Sequence, residues 1–367
     1  MKLTRSGDRF FLALVIILLV VGVIVFVSSS LGVYADSEGK FWKLLLTHIG
    51  FGVGGGFLLW GIVAKLGRDR LQSSALGIFI GALVLTCLVF VPGIGATYNG
   101  ATRWIDLGPF SLQPSEFLKI ASVLVYASWL AHAKKRVTEF KYGLLPLLII
   151  LGLVGTVLLL QPDTDTFMII GLALGVLYFL AGGPWKHILI IGLIGLVGAG
   201  SLIAMRPYIL DRFKTFLDPS ADPLGSSYQI QQSMIALGSG GLTGRGFGQS
   251  VQKFRYLPEP TNDSIFAVYG EETGFVGTII LVLLYVAFLF RGVRIASRLS
   301  DTFSTLTVSG IMVLLTAQAF LNMASTVGIF PLSGLPLIFV SQGGTAMLIA
   351  LGAVGIVFSF SKTIKTS

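Results

Sequence analysis

Charge is scarce in this 367-residue chain: Lys, Arg, Asp and Glu together supply only 12% of it, about half the share usual in soluble domains. A soluble fold of this length would lack the polar surface to cover itself, which excludes a cytosolic globular enzyme. Cysteine is all but missing. The single Cys87 rules out an intramolecular disulfide and a cysteine-based metal site. Histidine is nearly as rare, with three residues, His48, His132 and His187, far apart in the chain. No internal repeat is evident.

What the chain has in abundance is apolar surface: 54% hydrophobic residues, and 46 glycines besides. The composition predicts a polytopic, all-α integral membrane protein. A span needs about 20 apolar residues, fewer where neighbours bury it. Ten stretches qualify: Phe10–Val33, Leu44–Ala64, Ala75–Val91, Phe117–Leu130, Leu144–Leu160, Thr166–Ala181, Ile188–Ala204, Ile265–Phe290, Phe303–Asn322 and Leu337–Phe360. The fourth is short and is expected to begin earlier, near Pro114. The first is too long for a signal-peptide core and reads as a retained anchor.

Basic residues orient the bundle. With both termini cytoplasmic, that side receives Lys2, Arg5, Arg9, Lys65, Arg68, Arg70, Lys134, Lys135, Arg136, Lys141, Lys186, Arg291, Arg294, Arg298, Lys362 and Lys365, against Lys40, Lys43 and Arg103 in the short outer loops. This is the positive-inside bias, and it accounts for the net charge of +9 without any nucleic acid. In this topology the histidines fall on both sides of the membrane. They build no common metal site and leave none near a serine motif for Ser-His-Asp catalysis.

Cytoplasmic loops are short and basic, whereas two outer loops are long. One runs over residues 92–115; the other, the large extracellular loop between spans seven and eight, covers 205–264. Loops beyond about 12–15 residues in a compact protein are usually functional or disordered, so the single membrane domain, residues 1–367, is expected to carry its site there. Short helices packed on the outer face are expected within the second loop. Its glycine-rich GSGGLTGRGFG (238–248) lacks the spacing and the strand–helix context of a phosphate-cradling loop. The outer side also offers no nucleotide pool. An enzyme working there needs a substrate already activated, of which a lipid-linked pyrophosphate is the obvious kind.

Ionisable residues near or within spans mark function by default. Glu116 and Lys119 share a helix face at i,i+3 and pair either structurally or within a site. Asp163, in QPDTD (161–165), caps the next helix or faces the same cavity as Lys119. Glu271 and Glu272 lie two turns into the eighth span, where a structural hydrogen-bonding role is expected for the one facing inward. Trp104 and Tyr98 suit an interface belt or a sugar-stacking platform. Arg245, Lys253 and Arg255 bring three cations close in sequence to Glu259 and Asp263. A carboxylate among cations suits attack by a sugar hydroxyl on a pyrophosphate-activated carbon: the carboxylate takes the proton and the cations hold the leaving group. The alternative is that Asp263 caps the eighth helix.

The stretches NGATRWIDLGPFSLQPSEFLKIA (99–121), QPDTDT (161–166), YQIQQSMIALGSGGLTGRGFGQSVQKFRYLPEPTNDSIFAVYGEETG (228–274) and NMASTVGIFPLSGLPLIFVSQGGTAML (322–348) resemble, in order and over nearly the whole chain, the signature blocks of the SEDS family of shape, elongation, division and sporulation proteins (FtsW, RodA and SpoVE). The SVQKFRYLPE wording is nearer the FtsW type than RodA. The resemblance implies a SEDS-type fold of ten transmembrane helices. It also implies an inverting glycosyltransferase that polymerises lipid II, the undecaprenyl-pyrophosphate-linked disaccharide peptide, into peptidoglycan strands. The place of work is the outer face of the bacterial cytoplasmic membrane, in division or elongation. Implied partners are a class B penicillin-binding protein and other divisome or elongasome membrane proteins. No cofactor is evident, and a divalent cation at the pyrophosphate stays open.

By the same resemblance Asp263 matches the family's essential aspartate, Arg103 and Trp104 the RW of its first large outer loop, Glu116 and Lys119 its polar pair, and Asp163 the aspartate of its QPD motif. The chain departs from the pattern in three places. The aspartate usually follows His-Thr and precedes Phe, but here the run is Thr261-Asn262-Asp263-Ser264. The family's SYGG reads Ser341-Gln342-Gly343-Gly344, and its Leu-Leu-Pro reads Ile329-Phe330-Pro331. The rival expectation is a lipid II flippase using Glu116, Lys119 and Asp163; the outward crowding of the polar residues favours the enzyme.

Overall fold

The computed structural model describes residues 7–34, 37–98, 101–108, 110–205, 207–218 and 227–364. Lys2, Arg5 and Lys365, on which part of the charge argument rests, lie outside the described residues, as do Asn99, Arg206 and residues 219–226 of the long loop. The chain is mostly helical: α1 (Arg9–Val33), α2 (Glu38–Leu46) running through a π-helical stretch (Thr47–Gly54) into α3 (Gly55–Ser73), α4 (Ala75–Cys87), α5 (Pro114–Ala133), α6 (Leu144–Leu160), α7 (Thr164–Leu180), α8 (Trp185–Met205), α9 (Pro207–Leu217), α10 (Tyr228–Ser239), α11 (Ile265–Ala296), α12 (Thr302–Thr326) and α13 (Gly344–Ser361). Among the described residues, five helical stretches are long and apolar enough to cross a membrane, and shorter apolar helices accompany them. This is a multi-pass membrane protein.

The packing follows from lipid being the outer solvent. α12 lies at the centre, against α5, α7, α11 and α13, and buries residues from Phe303 to Thr326 around its whole circumference. Peripheral helices keep apolar side chains on their outward faces too: Ile16, Ile17, Val20 and Ile24 of α1, Leu58 and Ile62 of α3, Ile149 and Leu153 of α6. With lipid on one side and protein on the other, a helix has no polar stripe to display. Span prediction here therefore rests on run length rather than on period. α5 starts at Pro114, the first-turn position that proline's missing N–H suits.

Two expectations need correcting. The all-α expectation misses a three-stranded antiparallel sheet, β1 (Gly95–Tyr98), β2 (Ala101–Asp106) and β3 (Ser111–Leu112), in order β1-β2-β3. β-branched and aromatic residues at Thr102, Trp104 and Ile105 suit such a pleated surface, and Trp104 pairs with Ala96. The last expected span, Leu337–Phe360, begins instead at Gly344. Leu335, Leu337, Ile338, Phe339 and Val340 are buried, but Pro331, Gly334 and Pro336 interrupt any helix through this strap (331–343). Side chains satisfy its backbone instead: Gln318 Nε2 donates to the Pro336 carbonyl at 3.0 Å, Asn322 Nδ2 to Leu335 O at 2.8 Å, and Ser341 Oγ accepts from Leu337 N at 2.8 Å. Irregular backbone at membrane depth is tolerated in such a buried, satisfied setting.

The glycine-rich stretch also finds its physical role. α11 breaks at Gly274, φ 68°, and the freed carbonyls of Glu271 and Glu272 accept the amides of Arg245 and Gly246, each at 3.0 Å. A side chain at Gly244 or Gly274 would collide with the opposing backbone. Close approach of two backbones, not phosphate binding, uses these glycines.

Candidate functional site

A cavity of about 540 Å³ opens beside the sheet. Its walls come from the π-helical stretch (Thr47, His48, Phe51), the sheet (Arg103, Trp104), α9 (Arg212), the loop before α11 (Glu259, Asn262, Asp263) and the strap with the start of α13 (Gly334, Pro336, Gln342 to Ala346). Segments distant in sequence meet here because α1, α12 and the strap together hold the loop that carries Asp263.

That loop is pinned through its backbone. Asn322 Nδ2 donates to Asp263 O at 2.9 Å, Ser341 Oγ to Asn262 O at 2.7 Å, Ser29 Oγ to Pro260 O at 2.6 Å, and the Gln342 amide to Thr261 O at 2.7 Å. Glu259 is held at φ 47°, a left-handed conformation that costs a non-glycine residue free energy. Helix α11 starts at Ile265 with Ser264 as its N-cap residue, so Asp263 does not occupy the capping position. Its Oδ1 is sealed from solvent without a hydrogen-bond partner, while the side chain as a whole is half-buried at the cavity wall. Burial, and then the Glu259 carboxylate, push the Asp263 carboxyl up to about 7; Arg212 and Arg103 pull the other way, and Asp165 adds to the rise. A carboxyl poised there exchanges protons readily near neutral pH.

Arg103 and Trp104 enter from β2. Arg103 Nε donates to Gln161 O at 3.1 Å, its Nη2 bonds the Pro162 carbonyl, and Nη1 lies 3.9 Å from Asp163 Oδ1. Asp163 is buried behind Arg103, accepts from Ser115 Oγ at 3.2 Å, and makes no side-chain cap on α7.

Glu116 and Lys119 are buried deeper, outside the cavity lining. Lys119 Nζ donates to Glu116 at 2.8 Å and to Gln318 Oε1 at 2.6 Å, and Gln318 passes the link on to Pro336 O. The pair thus supports the strap from below. Lys253 and Arg245, near Asp263 in sequence, lie away from the cavity. Lys253 Nζ is buried with Glu272 at 2.7 Å, Ser28 Oγ at 2.9 Å and Gly248 O at 2.9 Å. Arg245 Nε faces Glu271 Oε1 at 3.5 Å. Arg255 is exposed, at φ 68°, and does not line the cavity.

Sequence reasoning overlooked Arg212, Asp165, Gln318 and Asn322, and weighed His48 only as a metal ligand or catalytic histidine. Arg212 stands 51 positions before Asp263 on a helix without a motif, so only the alternation of apolar and charged residues in PYILDRFKTFL marked it. His48 is buried in the cavity wall with both ring nitrogens unpartnered, its ring stacked on Phe26 at 4.0 Å. Among the described residues no group of three His, Cys, Asp or Glu side chains is gathered as a metal site.

Comparison with known proteins bears on the whole chain. The family of FtsW, RodA and SpoVE, described as cell cycle protein, matches residues 8–366. The stage V sporulation protein E of Bacillus subtilis is 37% identical over 361 residues, covering 97% of each chain. A probable peptidoglycan glycosyltransferase FtsW of Saccharophagus degradans is 38% identical over 360 residues, 96% of this chain and 92% of that one. Among solved structures, a chain described under structural coordination of polymerization and crosslinking by a peptidoglycan synthase complex superposes with a TM-score of 0.80 at 27% identity, covering 99% of this chain and all of that one. The rod shape determining protein RodA of Thermus thermophilus does so with a TM-score of 0.71 at 26% identity and 99% coverage of each.

Proposed function

This chain belongs to the FtsW/RodA/SpoVE family of cell cycle proteins, and on that premise we propose that it is a peptidoglycan glycosyltransferase polymerising lipid II at the outer face of the bacterial cytoplasmic membrane. Relatives named as probable peptidoglycan glycosyltransferases support the reaction, and the bias of basic residues supports ten spans with both termini inside. The observation that carries the reading is Asp263, a carboxylate with an unpartnered oxygen in a cavity that also holds Arg103, Trp104 and Arg212.

In the reaction, the acceptor's sugar 4-hydroxyl attacks the anomeric carbon of the donor. Asp263 takes the hydroxyl proton as the new C–O bond forms, and the anomeric C–O bond to undecaprenyl pyrophosphate breaks with inversion. Two arginines in the cavity wall, Arg103 and Arg212, suit the phosphoryl oxygens of the leaving group, and charge-assisted hydrogen bonds strengthen as its charge develops. The assignment of cations shifts accordingly from Arg245 and Lys253, which lie away from the cavity, to these two, which line it. Trp104 offers an aromatic face to a sugar ring. The buried pair Glu116–Lys119 serves the strap through Gln318, a structural role that does not favour a flippase.

A class B penicillin-binding protein is the proposed partner, supported by the likeness to a chain of a peptidoglycan synthase complex. The test is polymerisation of purified lipid II by the reconstituted protein, with and without such a partner. Glycan strands are expected; lipid II crossing the bilayer without strand formation would favour transport.

A further inference from the structure

Both arginines of the cavity are gripped by one short stretch of chain. Residues 161–163, which join α6 to α7, reach Arg103 through two carbonyls and Asp163, while Asp165 Oδ2, just beyond, accepts from Arg212 Nη1 at 3.0 Å. Asp165 lies in the first turn of α7, with its side chain 16% exposed, and is not among the residues lining the cavity; Arg212, arriving on α9, is. The same Oδ2 accepts the Gly334 amide at 3.0 Å. A methyl group at Gly334 would stand 4.0 Å from Arg212 Nη2, from Asp165 Oδ2 and from Asp263 Oδ2 alike. The guanidinium and the carboxylate read as the base therefore flank the same point of the cavity wall.

An arginine side chain loses rotamer freedom when it takes a fixed place. A carboxylate behind it, itself tied to a backbone amide, fixes that place before substrate arrives, and preorganisation of this kind appears as affinity. We infer that Asp165 is a positioning residue: it holds Arg212 in the cavity wall so that Arg212 and Arg103 together take the phosphoryl oxygens of a lipid-linked diphosphate beside Asp263. The inference rests on the glycosyltransferase reading above. Asp165 touches no substrate in it and acts through Arg212, whose planar fork suits phosphoryl oxygens as a lysine does not.

The test uses the full chain reconstituted in bilayers, with kcat and KM for lipid II and the inhibition constant and direct binding of undecaprenyl pyrophosphate. Asp165→Asn keeps the shape and removes the charge. It is expected to raise KM and weaken undecaprenyl pyrophosphate about tenfold, the scale of one charge-assisted hydrogen bond, while kcat changes by less than about threefold. Arg212→Lys keeps charge and loses the fork; it shows the same weakening and serves if the Asn variant does not fold. The exchanged pair Asp165→Arg with Arg212→Asp separates positioning from support. A mere strut is restored by the exchange, whereas the inference expects a folded protein in which diphosphate binding stays weak. Parental KM and inhibition in the Asn or Lys variant, or full recovery in the exchanged pair, overturns the inference. A parent protein that makes no glycan overturns the function reading instead, and the binding measurement still decides the role of Asp165.

Discussion

Asp263 and the pair Glu271–Glu272 stand about two helical turns apart at one end of α11, and both sites hold carboxylates withdrawn from water, yet they are built oppositely. Glu271 accepts from Ser250 Oγ at 2.6 Å and from the Val251 and Gln252 amides at 3.1 and 3.2 Å. Glu272 accepts from Ser28 Oγ at 2.6 Å and Lys253 Nζ at 2.7 Å. Every charge there has its counterpart. Asp263 keeps an oxygen with none, beside a cavity. Burial with partners makes architecture; burial without them leaves a group able to react, since an unmatched polar atom in a dry site is expensive to keep.

Substitutions break this contrast in order of size. Asp263→Asn should lower polymerisation by 10² or more, the share of a positioned base, without loss of folding, as measured by glycan synthesis and thermal unfolding of the same preparation. Normal activity in that variant would remove Asp263 from catalysis. At the paired site the roles invert: Lys253→Met strands Glu272 and should cost about 3–5 kcal/mol of stability, with the surviving folded fraction still active. An active-site role for Lys253 would show instead as lost turnover at parental melting temperature.

The pH dependence sharpens the comparison further. Activity should rise about tenfold per pH unit on the acid side and level off near 7, where Asp263 gives up its proton. Stability has the opposite sign. The folded-state value exceeds the reference value of 3.8, so the protonated form stabilises the native state below pH about 4, and that contribution is lost as pH rises through about 7. Relative to the parent, Asp263→Asn should therefore gain in melting temperature across this window. Glu259→Gln removes the neighbouring charge that helps raise Asp263, so the activity profile should move to lower pH, by up to about one unit, against the pull of Arg103 and Arg212 and the push of Asp165. An unmoved profile would assign the inflection to another group. The smallest effect is expected from Gln318→Leu, which leaves Lys119 with Glu116 alone and frees Pro336 O: about 1–3 kcal/mol of stability and a modest rise in KM.

How much of this was legible beforehand follows from what encodes each feature. Long apolar runs encode helices in lipid, and α1, α6 and α12 appear close to where run length places them. Run length failed at 337–343, where a buried irregular strap is as apolar as a span. It could not reveal the sheet either, whose strands of two to six residues are too short for a periodic signal. At the site, Asp263, Arg103 and Trp104 line the cavity as their motifs suggest, whereas proximity in sequence grouped Lys253 and Arg245 with Asp263. The bend at Gly274 and the glycine-rich turn carry those cations to Glu271 and Glu272. Arg212 is brought in by tertiary packing that local pattern does not record.

The hydrogen bonds that place Asp263 fall largely on main-chain atoms: the carbonyls of Pro260, Thr261, Asn262 and Asp263 are all held from α1, α12 and the strap. A grip on peptide groups is indifferent to which residues carry them. The side chain of Asn262 is thereby released from specifying the carboxylate's position, whereas Thr261 Oγ1 donates to Gln342 Oε1 at 2.7 Å and Ser264 Oγ accepts from Gln229 Nε2 at 3.0 Å, so those two still brace the loop. Substrate contacts can be revised at Asn262, which lines the cavity, while the carboxylate beside it stays where the main-chain grip puts it.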